Sequence, residues 1–286
     1  MSHSDYPPWV VLHVPHDSTF IPDEVRQQFM LSDQDLTLEL QRMTDHFTYE
    51  LFATQVGKAK VIRASVSRLV VDVERFENDD HEPMAARGMG AVYETTSHLT
   101  PLRRPLSIEE RRALMRTWYH PHHERLEIAV ADALNRHGRC LVIDGHSFPN
   151  TALPYERADP SFKRPDICIG SDPFHTPIEL QHAFAETFSC GGWRVSLNEP
   201  FSGALVPSSR YLTDPRVMAV MVEVNRDMYL DRDTLKPNLN FHQIASEIKN
   251  RCIQALEKFN GKFPDAKAHA EKKAVNNKGN NYLLRP

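Results

Sequence analysis

Four short segments of this chain bring histidine and carboxylate side chains together, and three of the four lie at the ends of predicted strands. They are VPHD at 14–17, TDH at 44–46, DGHS at 144–147 and EVNR at 223–226. A hydrolytic zinc ion needs about three protein ligands of these types, an open position for water, and a separate carboxylate that takes the proton of that water. The segments therefore indicate metal-dependent hydrolysis.

Glu223 is the most informative of these carboxylates because it lies inside an apolar run that begins at Val217. Burying an ionised carboxylate among valine and methionine side chains costs several kcal/mol unless it is paired, bound to a metal or protonated. Two explanations fit this position. Glu223 is a general base, or it holds Asn225 or Arg226.

Further motifs, in their order along the chain, resemble those of the N-formylglutamate amidohydrolase family. The resemblance covers roughly residues 10–232 and rests on PH at 15–16, TD at 44–45, SRLVVDVER at 67–75, RGMG at 87–90, DGHS at 144–147, PDICIG at 165–170, NEPFSG at 198–203 and EVNR at 223–226. That family in turn looks like the zinc carboxypeptidase and aspartoacylase group. The resemblance therefore implies a zinc-dependent amidohydrolase that hydrolyses N-formyl-L-glutamate, or a similar N-acyl amino acid, to formate and glutamate.

Carried over by position, the resemblance makes His16 and His146 the first two zinc ligands. The third ligand should be a carboxylate, and the carboxypeptidase group has a glutamate three residues after the first histidine, where this chain has Thr19. We assign Asp45 as the third ligand. Two alternatives remain open, and they are Asp17 and Asp144. The sequence also leaves open whether the ion is zinc or another divalent metal.

The resemblance also implies which residues act on the substrate. Glu223 is the general base, which accepts the proton of water and passes it to the leaving amine. Arg68 acts with it in catalysis by binding the oxyanion or a carboxylate. The substrate-binding residues are Arg75, Arg87, Asn198 and Asn225. The guanidinium forks among them suit bidentate binding of the carboxylates of an acidic amino acid.

One substitution affects the expected substrate. Related acyl-amino-acid hydrolases carry Asp-Leu-Asn-Arg where this chain has residues 72–75, so Glu74 replaces an asparagine. This change favours an alternative substrate, either another N-acyl amino acid or a small peptide. A second alternative is a metal-binding family member without turnover.

Three other motifs carry less information. Ser147 lies in a GHSFP segment that lacks the Gly-x-Ser-x-Gly frame of a serine hydrolase, so we expect no serine nucleophile. The segment YHPHH at 119–123 places three imidazoles around a proline, which fits either a metal site or a polar helix break. We expect His13 to be a core histidine or to support a metal ligand.

Hydrophobic periodicity predicts the elements that position these groups. Apolar runs predict strands at 10–14, twice between 59 and 73, at 140–143, at 165–170 and at 217–225. Helical spacing predicts helices from Asp33 to Leu51, at 178–188 and at 241–259. A further helix is predicted from a capping box at Ser107 to Gly138, with a kink or break at Pro121. Residues 78–105 are predicted to form a long loop.

This alternation predicts an α/β fold. The resemblance implies three layers, α/β/α, around a mixed, mostly parallel central sheet that is zinc-carboxypeptidase-like (phosphorylase/hydrolase-like). We expect a single catalytic domain over residues 1–260 and a polar, lysine-rich C-terminal tail over residues 261–286.

Composition narrows the class of protein further. A formal net charge of -4 argues against a nucleic-acid-binding surface spread over the whole protein. The chain has no apolar run that would span a membrane, and its start lacks a secretory signal, which predicts a cytoplasmic protein. The four cysteines form no CxxC pair and are expected to be buried thiols. The expected partner is a small acidic N-acyl amino acid, and the sequence does not distinguish a monomer from a homo-oligomer.

Overall fold

The computed structural model of this chain describes residues 5–54, 56–159 and 161–259, so the expected tail over 261–286 lies outside the described residues. Its centre is a six-stranded sheet. The strands are β1 (Val10–Val14), β2 (Lys60–Arg63), β3 (Cys140–Phe148), β4 (Ile167–Gly170), β5 (Val195–Leu197) and β6 (Val217–Asn225). Their order is β2-β1-β3-β6-β4-β5, and only the β4–β6 pair of this sheet is antiparallel. The predicted mixed, mostly parallel sheet is therefore confirmed.

Seven α-helices occur in the described residues. They are α1 (Asp23–Arg26), α2 (Asp33–Met43), α3 (Thr48–Phe52), α4 (Ile108–Leu114), α5 (His120–His137), α6 (Ile178–Ser189) and α7 (Phe241–Phe259). Short 3-10 turns lie at Asp79–His81, Pro83–Arg87, Pro154–Glu156 and Arg226–Met228. None of the helices described is both long and apolar enough to cross a membrane.

Helices cover both faces of the sheet because alternate strand residues point to opposite sides. On one face, Val10, Leu12 and Val14 belong to an apolar cluster that includes residues of α3, α6 and α7. On the other face, Val11 packs in a cluster with residues of α5. This arrangement gives an α/β fold in which the sheet lies between layers of helices.

The prediction of a second strand between residues 59 and 73 is wrong. Only β2 forms there, and the described backbone of 66–73 runs in turns, although its apolar side chains are buried in a separate cluster. Arg103 occupies the acceptors that a strand partner would need, since its guanidinium donates to the carbonyl oxygens of Leu69 and Val70. The apolar pattern thus predicted burial correctly but not the backbone conformation.

The helix predicted from Asp33 to Leu51 is interrupted. α2 ends at Met43, Thr44 is extended, and α3 begins after Phe47, which adopts a left-handed conformation with φ of 63°. In the gap, the backbone N–H of Asp45 donates to the carbonyl of His16 over 2.9 Å. The break therefore ties Asp45 to the chain that leaves β1.

The helix predicted from the Ser107 capping box forms and ends at Gly138, as expected. Between α4 and α5, residues Met115–Tyr119 form a π-helical turn that ends two residues before Pro121. Proline has no amide proton to donate to the preceding turn, and a wider turn accommodates that loss. The prediction of buried thiols is correct for three of the cysteines, whereas Cys190 is exposed.

Candidate active site

The carboxyl ends of β1, β2, β3 and β6 meet at one edge of the sheet because these four strands are parallel. His16 follows β1, and His146 and Glu223 occupy paired positions near the ends of β3 and β6. Clefts at this edge are the usual binding sites of open α/β sheets. The topology thus brings together three side chains that are far apart in sequence.

Two histidines converge on the carboxylate of Asp45. The Oδ2 atom of Asp45 lies 3.0 Å from Nδ1 of His146 and 3.7 Å from Nδ1 of His16, and all three side chains are buried. Their candidate ligand atoms all lie within 4.8 Å of one another. Burial would raise the pKa of Asp45, but hydrogen bonds from the two imidazoles hold it well below its usual range. Asp45 is therefore an anion suited to a cation.

The opposite edges of both imidazoles face other carboxylates. His16 Nε2 lies 2.7 Å from Oδ1 of Asp72, and His146 Nε2 lies 3.1 Å from one oxygen each of Asp144 and Glu74. An ionised carboxylate can only accept, so Nε2 of His16 carries a proton, whereas Nε2 of His146 lies near two carboxylates without a hydrogen bond among the residues that the structure describes. A metal ion bound at Asp45 would meet the Nδ1 atoms of both imidazoles, which lie closest to its carboxylate. Nδ1 of His16 has no hydrogen-bond partner within the described part of the chain. The donor set fits a divalent metal ion at Asp45.

Asp17 and Asp144, the alternatives to Asp45 as third ligand, lie elsewhere around the two histidines. The carboxylate of Asp17 pairs with the Arg63 guanidinium at 2.7 Å, and Asp17 belongs to none of the metal-competent groups found among the described residues. Asp144 does belong to such a group, with Glu74 and His146. It contacts the Nε2 edge of His146, so it supports this histidine from the side opposite Asp45.

The two imidazoles lie in a strongly negative environment. Burial would lower the pKa of His146, but Glu74 and Asp144 raise it well above its ordinary value. The pKa of His16 is also raised, since Asp72 and Asp45 outweigh burial and the nearby Arg68. Without a metal, these carboxylates therefore hold both imidazoles protonated. A metal ion that bound there would displace these protons.

Arg226 supports the metal-facing carboxylate, and sequence reasoning gave it no role of its own. Its Nη2 donates to Oδ1 of Asp45 over 3.1 Å, and its Nε donates to the Ser147 hydroxyl over 3.2 Å. The backbone N–H of Ser147 also donates to Oδ2 of Asp45. The available signal was the position of Arg226 at the end of the apolar strand that carries Glu223.

Glu223 is buried, and its Oε2 atom has no hydrogen-bond partner among residues 5–54, 56–159 and 161–259. Neither suspected partner engages it, because Arg226 bonds to Asp45 and the Asn225 amide donates to Asn150 and to the Pro165 carbonyl. Burial raises the pKa of Glu223 to about 8; His146 opposes this rise, and Asp45 and Glu74 add to it. A carboxyl with such a pKa can exchange protons near neutral pH.

Asp72 lies between His16 on one side and Arg68 and Arg75 on the other. In the sequence it stands out only as part of the SRLVVDVER motif. Its Oδ2 accepts from Arg68 Nη2 at 2.8 Å and from the Tyr93 hydroxyl at 2.6 Å, and Arg75 Nε lies 3.6 Å away. Arg75 also lies 3.6 Å from Glu82. Both arginines are thus held by carboxylates at the wall of the site.

These groups line a cavity of about 950 Å³. Its wall includes His16, Asp45, Arg68, Glu74, Arg75, Arg87, His146 and Glu223. Arg87 differs from the other two predicted arginines: its Nη1 donates to the backbone carbonyl of Tyr155 at 2.5 Å, and no ion pair forms between it and any described residue. Its charge is available to a bound anion.

The structure does not bring the two predicted asparagines to the cavity. Asn198 exchanges hydrogen bonds with Ser171 next to β5, and Asn225 holds the chain around Asn150 and Pro165. The cavity wall includes neither residue. Their contacts fit a role in shaping the segments that flank the site.

The sequence model of the N-formylglutamate amidohydrolase family matches residues 9–230. The chain belongs to this family. The match spans the residues that form the metal-competent cluster and Glu223, and membership supports a hydrolase that acts on a small molecule. No curated protein sequence matches the chain.

Solved structures share the fold of this N-formylglutamate amidohydrolase family member. The N-formylglutamate amidohydrolase of Ralstonia eutropha JMP134 is similar with a TM-score of 0.75 and 21% identity, over 88% of this chain and 95% of that one. A gene product of Agrobacterium tumefaciens is similar with a TM-score of 0.55 and 19% identity, over 94% of this chain and 92% of that one. At such identities the likeness concerns the fold alone.

Proposed function

We propose that this protein is a zinc-dependent amidohydrolase that hydrolyses N-formyl-L-glutamate, or a similar N-acyl amino acid, to the free acid and the amino acid. The observation that carries this proposal is the buried convergence of His16, Asp45 and His146, with Glu223 lining the same cavity and its Oε2 atom meeting no hydrogen-bond partner in the described ranges. Family membership supports the reaction class. The donor set supports zinc because two imidazoles and one carboxylate are common ligands of catalytic zinc.

The residues of the cavity divide the work of amide hydrolysis. A zinc ion held by His16, Asp45 and His146 would supply Lewis acidity toward the amide carbonyl and lower the pKa of a water molecule. With a zinc ion bound at this site, the ionised form of Glu223 is favoured, and its carboxylate then accepts a proton from the attacking water and delivers it to the nitrogen of the leaving amine. Arg68 lines the same cavity and offers positive charge to the developing oxyanion.

Arg87 is the best placed group for the carboxylates of an acidic amino acid. Arg68 and Arg75 already face carboxylates of the protein, whereas Arg87 contacts a backbone carbonyl. A guanidinium fork without an anionic partner favours a ligand carboxylate. Arg75 then serves mainly to balance Asp72 and Glu82.

A second candidate is a larger N-acyl amino acid or a small peptide. The cavity of about 950 Å³ is of the size that holds drug-sized ligands, which is more room than a formyl group and one glutamate occupy. Aromatic side chains line much of it, including Phe76, Phe148, Tyr155, Phe201 and Tyr211. Glu74 adds negative charge there and disfavours an anionic group next to it.

The proposal also includes three expectations, which concern the fold relationship, the extent of the catalytic domain and the location in the cell. The two-sided packing of helices on a mixed sheet supports a zinc-carboxypeptidase-like fold, and the single sheet supports one catalytic domain over residues 1–260. A cytoplasmic location remains a prediction.

The test combines metal content by elemental analysis with product release from N-formyl-, N-acetyl- and N-benzoyl-L-glutamate. We expect near-stoichiometric zinc in the wild type, loss of zinc in His146→Ala, and loss of turnover with zinc retained in Glu223→Gln. Faster release from the benzoyl compound would favour the second candidate. Zinc-free, inactive wild-type protein would contradict the proposal.

A further inference from the structure

A row of four buried side chains connects the metal-facing His146 to helix α5. His146 Nε2 lies 3.1 Å from Oδ1 of Asp144, the same oxygen lies 2.7 Å from Nδ1 of His13, and His13 Nε2 lies 2.8 Å from Nε2 of His122. Three elements contribute to this row, which are β3, β1 and α5. His13 and Asp144 occupy paired positions of adjacent strands, so their side chains share one face of the sheet.

The positions of the protons in this row follow from its two ends. At one end, Oδ1 of Asp144 faces Nδ1 of His13, and Oδ2 accepts the backbone N–H of Leu205. A neutral imidazole has one donor and one acceptor nitrogen, so His13 carries its proton on Nδ1 if its Nε2 accepts from His122. Between the two Nε2 atoms of His13 and His122, one must donate and the other must accept.

His122 is the donor of this pair. Burial, with smaller contributions from His13 and His123, lowers the pKa of His122 to about 2, so this imidazole is neutral. Its Nδ1 atom is buried and meets no hydrogen-bond partner among the described residues. A buried N–H without an acceptor is rarer than a buried acceptor without a donor. The proton of His122 therefore lies on Nε2, and His13 accepts it.

We propose that His122 is a positioning residue of the metal centre, which holds His13 and, through it, the Asp144 carboxylate that lies against the Nε2 edge of His146, so that this imidazole keeps its Nδ1 edge toward Asp45. This inference rests on the proposed metal centre. The Asp144 carboxylate is held at its other oxygen too, because Oδ2 accepts the backbone N–H of Leu205 over 3.1 Å. Leu205 lines the cavity, so the same carboxylate positions a metal ligand and a cavity wall.

The row gives the histidine-rich start of α5 a specific task. His122 reaches the sheet shortly after the π-helical turn at Met115–Tyr119, whereas His120 is about half exposed and contacts Glu77. Removing a group that orients a metal ligand usually weakens metal binding by about 10–100-fold. His122 acts through two intervening side chains, so the lower end of that range applies.

The first test measures zinc affinity of the full chain by competition with a chromophoric chelator. We expect His122→Phe, which keeps a ring but has no donor, to weaken zinc binding by about tenfold. His122→Gln places an amide N–H where the imidazole Nε2–H lies and should restore most of the affinity. His120→Phe, on the exposed side of the same helix turn, should bind zinc as the wild type does.

The second test is independent of the variants. Imidazole ¹H–¹⁵N spectra of the wild type, labelled at histidine, should show His122 neutral with its proton on Nε2 and His13 protonated on Nδ1. A proton on Nδ1 of His122, or His122→Phe binding zinc as tightly as the wild type, overturns the inference. Wild type that binds zinc but hydrolyses no N-acyl amino acid contradicts the proposed function alone.

Discussion

Arg226 donates a hydrogen bond from Nη2 to Oδ1 of Asp45 over 3.1 Å, while the other oxygen of Asp45 faces His146. Both side chains are buried, and Arg226 shares the charge of Asp45 with the two imidazoles that face this carboxylate. Asp45 is thus oriented by a guanidinium on one side and made available to a cation on the other.

Replacing Arg226 should therefore destabilise the metal-free protein more than the zinc-bound one. Removing one partner of a buried ion pair typically costs about 3–5 kcal/mol when the remaining charge has no other compensation. Asp45 keeps the two imidazoles, so we expect Arg226→Met to lower the free energy of unfolding by less than this amount in the presence of a chelator, and by still less with zinc, since the ion would add positive charge at Asp45. Urea unfolding with and without zinc measures both values.

Arg112→Met is the matched control, because Arg112 is exposed on α4 and lies 2.9 Å from the exposed Glu109. Exposed pairs of this kind contribute about 0–1 kcal/mol, so a small effect that zinc does not change is expected. An equal loss for Arg226→Met in both conditions would argue against Asp45 as a metal ligand.

The raised pKa of Glu223 predicts a pH-dependent stability of the metal-free protein. In the folded state burial raises this pKa to about 8 from an ordinary value of 4.5, so the unfolded chain releases its proton first as pH rises. Glu223 therefore contributes fully to the free energy of unfolding below pH 4.5. This contribution falls between pH 4.5 and pH 8, by up to about 1.4 kcal/mol for each pH unit.

Glu223→Gln cannot ionise and should lack this loss. The variant should match the wild type near pH 4.5 and become progressively more stable than the wild type toward pH 8, when both are unfolded by urea in a chelator. A constant difference between the two proteins across this range would contradict a buried, protonated Glu223.

Arg87 should determine the preference for acidic substrates. A hydrogen bond to a charged group contributes about 1.5–3 kcal/mol, so Arg87→Met should lower kcat/KM for N-formyl-L-glutamate by about 10–100-fold. N-formyl-L-glutamine lacks the side-chain carboxylate and serves as the control substrate. If both substrates lose the same factor, Arg87 binds the α-carboxylate; if neither loses activity, Arg87 is not a substrate ligand.

Much of the site could be predicted because apolar strands end in polar groups. Glu223 lies in a near-continuous apolar strand, and His146 follows the apolar residues 140–143 in a strand that extends to Phe148. Parallel strands bring their carboxyl ends to one edge of the sheet. His16 follows the same rule after β1. For these residues the local pattern and the topology agree.

Other parts depend on contacts between distant segments, which periodicity does not contain. Asp45 leaves its helix because its backbone pairs with His16, and no glycine or proline marks that break. His122 contacts His13 shortly after a π-helical turn, and spacing counted in α-helical turns does not anticipate such a turn. The turns at 66–73 likewise depend on Arg103, which lies some thirty residues away along the chain.

The central claim is that His16, Asp45 and His146 form the metal site, with both histidines bound through Nδ1. Anomalous diffraction at the zinc absorption edge, from crystals of the zinc-loaded protein, tests this claim most directly. The account predicts one strong peak between the two Nδ1 atoms and the carboxylate of Asp45. A peak on the Nε2 side, next to Glu74, or no peak among these residues would contradict it.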